Sequence, residues 1–229
     1  SVSAFLLNRS SDLRVCDLLD QCMGSAFALK DLEIASIGLF GACSTMALSL
    51  SAGAMLVDGG INCVVCATSS HFCSSERQFR FPLEYGGQRP PTAQWTVTGA
   101  GSSVVSNSGK GIKIKAVQIG TITDLGITDA NNMGAAMAPA ASRTISTFLK
   151  DTKTSPSDYD LILTGDLGYT GTQLLYELLE KDHNIKLKGF HKDCGMLIYD
   201  LKKQDVNSGG SGCGCSASVL CSHIMKQID

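Results

Sequence analysis

A chain of 229 residues with 44% apolar and 17% charged residues is long enough to bury a real core, and too apolar to remain disordered. Its formal charge is −2 and no Lys/Arg run exceeds two residues, so nucleic acid finds no electrostatic footprint. Ten cysteines, most of them inside apolar runs such as "CVVCAT" and "SVLCSHI", read as reduced, buried thiols rather than a disulfide framework.

In chain order, "SVSAFLLNRSS" has no basic n-region and is not expected to be a signal peptide. "DLRVCDLLDQCMGSAFAL" (12–29) reads as a strand and then a helix. No charge occurs between Glu33 and Asp58, a length that can span a bilayer. Ser36, Ser44, Thr45, Ser49, Ser51 and three glycines divide it instead into a strand (34–40), a turn at Gly41 and a buried helix (43–57) ended by Gly59-Gly60. Cys63 and Cys66 have CxxC spacing, but "INCVVCATSS" reads as a buried strand, and no second ligand pair accompanies them.

An Arg/Pro/Gly-rich loop (71–94) follows, then two strands, 95–107 and 111–122, joined at residues 107–111. The second alternates polar and apolar residues. A helix comes next, with Pro139 expected in its first turn and apolar positions at Ile145, Phe148 and Leu149. "DYDLILTGD" (158–166) predicts a short buried strand, and 171–182 an amphipathic helix. "CGMLIYDL" predicts a strand, and a Gly-rich turn then leads into a last buried helix.

Residues 12–29 parallel 160–178: in both, an apolar strand ends at Asp-Leu before a turn and a helix. Each half later delivers cysteine from a Gly-rich turn onto a small-residue helix, "GACSTMALSLSA" and "GCGCSASVLCSH". Two such copies predict a duplicated α/β fold. Helices small on every face can lie between layers without leaving a polar side uncovered.

"FGACSTMALSLSAGAMLVDGG", "ATSSHFCSSERQFRFPLEYGGQRPPTAQWTVTGAG", "TDLGITDANNMGAAMAPAA", "DYDLILTGDLG" and "GGSGCGCSA" together resemble the stage V sporulation protein AD family, within the thiolase-like superfamily. The resemblance runs from about Asp17 to the end of the sequence. It implies a layered αβαβα fold with duplicated halves. Residues 12–150 would carry the first half with its Arg/Pro loop, and 151–229 part of the second. The chain is expected to be truncated at both ends. The family is associated with dipicolinic acid uptake into the developing spore. The resemblance therefore implies a peripheral protein of the inner spore membrane, working with membrane-embedded stage V proteins. It also implies a homodimer, expected to pair through the strand at 63–67.

Cys43 matches the nucleophile position of thiolase-type enzymes, where a helix N-terminus favours a thiolate. The partners of that nucleophile are absent from the motifs: the usual His position reads Thr164-Gly165-Asp166-Leu167-Gly168, and the Asn turn reads Gly212-Cys213-Gly214-Cys215. A carboxylate beside the thiol opposes activation. Cys43 is thus expected to be a vestigial nucleophile in a pocket now used for binding, with no catalytic residue, cofactor or metal. The ligand-binding candidates are Cys43, Ser69, Ser70, His71, Arg77, Arg80, Gly165, Asp166, Gly212 and Cys213. Arg89 is a further cation of the loop. Backbone N–H groups at the two Gly-Cys turns are expected to receive the anion. Asp166 would repel it, meet calcium if the chelate binds, or simply cap the following helix. A thioester-dependent acyltransferase using Cys43 and a ligand-free assembly scaffold stay open as alternatives.

Overall fold

The computed structural model describes residues 12–17, 22–73 and 88–228. Strands β1 (Asp12–Asp17), β2 (Ser36–Leu39) and β3 (Cys63–Ser70) run parallel. After β4 (Trp95–Thr96), β5 (Gly99–Ser106) returns antiparallel along β3, giving the sheet order β2-β1-β3-β5. The helices α1 (Met23–Leu29) and α2 (Thr45–Asp58) connect the parallel strands, as a crossover requires. Farther on come α3 (Met133–Thr152), β6 (Ile162–Thr164), α4 (Gly168–His183), β7 (His191–Asp193), α5 (Cys194–Leu197), β8 (Gly210–Ser211) and α6 (Cys213–Val219).

β3 alternates half-buried and buried residues, so Val64, Cys66, Thr68 and Ser70 line one covered face. Both small-residue helices lie on that face. Gly53 lets α2 approach, because a Cβ there would sit 2.6 Å from the Cys66 sulfur, and the Cys66 thiol donates to Ser49 O at 3.2 Å. α6 lies against β5 and the end of β3, where Gly101 faces the Ala217 carbonyl. Alternation also places Cys63 and Cys66 on opposite faces of β3, so the CxxC pair cannot chelate one ion.

The short pairs β4–β8 and β6–β7 are both parallel, and β4–β8 joins segments more than a hundred residues apart in sequence. One apolar cluster gathers Val97, Cys194, Cys215, Val219 and Ile224 beside α6. A second, of Leu167, Leu175, Leu179 and Leu187, receives Met137, Ala141 and Ile145 from α3.

Several expectations are corrected. Residues 111–122 form no strand: their alternation lacks a partner among the described residues, and Ile119 and Ile122 are 78% and 99% exposed. The strand expected at "CGMLIYDL" lies just upstream, at β7, because the chain turns into α5 at Cys194, where Gly195 packs against the Gly210 carbonyl. Pro139 sits inside α3 rather than in its first turn, since the helix starts earlier, at Met133, where the Asn132 side chain accepts Ala135 N–H. The 95–107 strand is split into β4 and β5. β3 lies between β1 and β5, so the strand expected to pair across a dimer is already flanked on both sides, and among the described residues the sheet edges are β2 and β5.

A Cβ at Gly101 would sit 2.5 Å from the Ala217 oxygen, a backbone atom that cannot step aside. Gly101→Ala is therefore expected to cost about 2–3 kcal/mol in urea unfolding, whereas Gly111→Ala, which meets open space, stays within about 0.5 kcal/mol of wild type. Equal effects of the two would contradict this packing of α6 on β5.

Candidate functional site

Four chain segments converge beside the β3 end of the sheet. The first is the 3-10 turn Ala42–Ser44 that leads into α2, so Cys43 sits on the turn and not on the helix itself. Ala42 takes a left-handed φ of 47° there, and Thr45 returns its hydroxyl to the Ala42 carbonyl at 2.5 Å. The second is the turn after β6 that carries Gly165 and Asp166. The third is the β8–α6 junction, Ser211 to Cys213. The fourth is the end of β3, Ser69 and Ser70.

Asp166 is the centre of this convergence. It is 6% exposed, and its Oδ2 accepts the Gly212 N–H at 2.9 Å and the Ser211 hydroxyl at 3.3 Å. It also faces Cys43. Burial pushes the Cys43 thiol well above its ordinary range, and the negative charge of Asp166 and a hydrogen bond to that carboxylate add to the rise. Nearby Cys213 raises it further, and a bond to Ser211 opposes the rise. The neutral thiol is thus the stable form, the reverse of what a helix start was expected to produce.

Two of the backbone donors expected to receive an anion, those of Gly212 and Gly214, are already engaged. Gly212 N–H goes to Asp166, and Gly214 N–H goes to the Ser70 hydroxyl at 3.0 Å, which itself donates to Val97 O at 2.7 Å. Asp166 does not cap α4. That role falls to Asp193, which accepts Leu167 N–H at 2.9 Å and Gly168 N–H at 3.0 Å.

Of the sequence candidates, Cys43, Ser69, Ser70, Gly165, Asp166, Gly212 and Cys213 come together. Ser69 takes part through its carbonyl, which accepts the Cys213 thiol at 3.2 Å. His71 lies exposed just beyond β3. Arg77 and Arg80 lie outside the described residues. Arg89 stacks 4.3 Å over the Trp95 ring, with Phe72 parallel to Trp95 at 4.8 Å, and donates to Gln94 O at 3.2 Å. Its cation is thereby engaged in bracing the loop.

Sequence reasoning missed Gln94, whose buried amide donates to Asp166 O at 2.7 Å and to Gly210 O at 2.9 Å, tying the loop to the 165–166 turn and to β8. Its Oε1 has no hydrogen-bond partner among the described residues. Also missed was a chain of polar groups behind the pocket. Thr164 Oγ1 donates to Asp193 at 2.6 Å and pairs with His191 Nε2 at 2.8 Å, while the Tyr176 hydroxyl pairs with His191 Nδ1 at 3.1 Å. Burial holds His191 down at about 4 and lifts Asp193 to about 6, with Asp166 adding to the latter and the Thr164, Leu167 and Gly168 donors opposing it. A broad groove of about 1050 Å³ opens elsewhere, between the end of α2 and residues 104–117, and none of the convergent polar groups lines it.

A family model described as stage V sporulation protein AD matches residues 9–229. Stage V sporulation protein AD of Bacillus subtilis (strain 168) is 47% identical over 214 residues, which are 93% of this chain and 62% of that protein. The chain thus spans less than two thirds of that relative's length. Among solved structures, 3-oxoacyl-[acyl-carrier-protein] synthase III from Aquifex aeolicus VF5 is similar with a TM-score of 0.55 and 14% identity, over 95% of this chain and 68% of that one. A tetronic acid condensing enzyme gives a TM-score of 0.58 and 15% identity, over 96% and 69%. At such identities the likeness shows the fold, which is thiolase-like α/β.

Between about pH 4 and 6 the folded chain holds a proton on Asp193 that the unfolded chain lacks, and the unfolded chain holds one on His191 that the folded chain lacks. The two uptakes offset, so this pair leaves stability nearly flat across that window. His191→Gln removes only the second. Its stability relative to wild type is expected to rise as pH is lowered from about 6 to 4, by about 1 kcal/mol per pH unit in urea unfolding. A flat or falling relative profile would contradict the opposed shifts.

Proposed function

This chain belongs to the stage V sporulation protein AD family, and on that premise we propose that it binds dipicolinic acid, free or as its calcium chelate, for uptake into the developing spore, without chemistry at Cys43. The contact between Cys43 and Asp166 carries the non-catalytic part of this reading. Attack on a thioester needs a thiolate and a base that manages the proton. Here burial, and after it the facing carboxylate of Asp166, keep the thiol protonated, and the Gly212 and Gly214 N–H groups are engaged by Asp166 and Ser70.

Dipicolinate is a small, flat dianion at neutral pH. A site for it needs polar groups at its carboxylates and a slot for its ring. Ser211, Cys213 and Cys43 surround Asp166 and offer such a mixed lining. The charge of Asp166 opposes a bare dianion, and the cation of a calcium chelate would relieve that opposition.

Two copies pairing edge to edge would use β2 or β5, the two edges of the described sheet, neither of which carries a charge to block strand addition. No described helix is long and apolar enough to cross a membrane, so attachment at the inner spore membrane would run through membrane-embedded stage V partners.

The test is a calorimetric titration of dipicolinic acid, with and without calcium, into wild type and Cys43→Ala, with circular dichroism confirming both folds. Intact-mass analysis after incubation with an acyl thioester runs beside it. The reading predicts saturable binding that survives Cys43→Ala, and no acyl adduct. An adduct on Cys43 would select the acyltransferase, and a folded protein that binds nothing would select the assembly scaffold.

A further inference from the structure

Behind the pocket, one donor order satisfies every link of the polar chain. The Tyr176 hydroxyl donates to His191 Nδ1, the His191 Nε2–H donates to Thr164 Oγ1, and the Thr164 hydroxyl donates to Asp193 Oδ1. Asp193 then has both oxygens engaged by the first turn of α4, Oδ1 by Leu167 N–H and Oδ2 by Gly168 N–H. The turn so gripped runs from Thr164 to Gly168, and Asp166 is its middle residue. Its freedom is small: Gly168 has a φ of 64° and lies against Ser208 and Gln94.

We propose that Asp193 is the positioning residue of the Asp166 pocket: with Thr164 and His191 it fixes the 164–168 turn, so that the Asp166 carboxylate meets both Gly212 and Cys43. As a statement about ligand binding, this rests on the reading of that pocket given above. Asp193 touches no ligand and acts through Asp166. The groups facing it are Asp166 on the gripped turn, His191 on its own strand β7, Tyr176 on α4, Cys194 on α5 and Cys215 on α6. His191 stays neutral at ordinary pH, so none of these supplies a compensating cation, and the grip depends on the three donors.

Removing one donor should let Asp166 swing off Cys43, and Cys43 reports that directly. Thr164→Val is nearly isosteric and deletes the hydroxyl, Thr164→Ser keeps it, and Asp193→Asn turns one acceptor into a donor facing backbone N–H. Peptide-resolved iodoacetamide labelling across pH reads the thiol in the full chain, and dipicolinic acid titration reads the pocket. In Thr164→Val and Asp193→Asn, Cys43 labelling at pH 8 should rise about tenfold, the effect of a one-unit fall in thiol pKa. With calcium present, where Asp166 would meet the cation of the chelate, the Kd should weaken about tenfold, as for one lost charge-assisted contact. Thr164→Ser should track wild type.

Folded variants with wild-type labelling and wild-type Kd would overturn the proposal, as would a Thr164→Ser that behaves like Thr164→Val. If Thr164→Val does not fold, Asp193→Asn decides. If wild type binds no dipicolinic acid, the binding reading fails by itself, and the labelling profiles still decide whether Asp193 positions Asp166.

Discussion

The Asp166 carboxylate accepts the Gly212 amide at 2.9 Å while it faces the Cys43 thiol, and the rest of the site is arranged around that double engagement. One group does two things that a condensing enzyme would avoid. It accepts the Gly212 amide at the start of α6, and together with burial it stabilises the neutral form of the Cys43 thiol. The fold is shared with a 3-oxoacyl-[acyl-carrier-protein] synthase III and a tetronic acid condensing enzyme, while burial and Asp166 together favour the neutral Cys43 thiol here. A shared fold with opposed site chemistry is an ordinary outcome, because chemistry resides in a few side chains grafted on the scaffold.

Bringing four segments to one carboxylate requires close backbone approach. Gly53, Gly101 and Gly214 let α2 and α6 lie on the covered face of β3, and Gly195 and Gly210 let α5 meet β8. The small helices expected from composition therefore have a specific use here. They place Cys43 and Cys213, from turns far apart in sequence, within electrostatic reach of each other. Gln94 closes the arrangement from the Arg/Pro loop by donating to both Asp166 O and Gly210 O.

Much of this was legible from sequence. Uncharged small-residue runs gave α2 and α6, β-branched and alternating residues gave β3, and motif positions gave Cys43, Asp166, Gly212 and Cys213. What was not legible depended on pairing or on distant contacts. Residues 111–122 alternate like a strand, but alternation specifies a face and not a partner. "CGMLIYDL" is apolar enough for a strand, yet the close packing of Gly195 on Gly210 turns it into α5. His191 and Asp193 carry no local signature, because their partner Thr164 is 27 residues from one and 29 from the other, and Tyr176 meets His191 across 15 residues. The rule about helix starts that suggested an anion at the α6 amides could not show that Asp166 itself takes the Gly212 amide and the Ser70 hydroxyl takes that of Gly214.

The central claim is that Asp166 sets the charge of the pocket. Its most direct test is a calorimetric titration of calcium-free dipicolinic acid into Asp166→Asn beside wild type, since the asparagine oxygen can keep the Gly212 bond while the charge is lost. The account predicts binding at least about tenfold tighter in the variant, as expected when a like charge is removed at close range. Binding that is unchanged or weaker would contradict it, and would mean that Asp166 is not the group that meets the ligand.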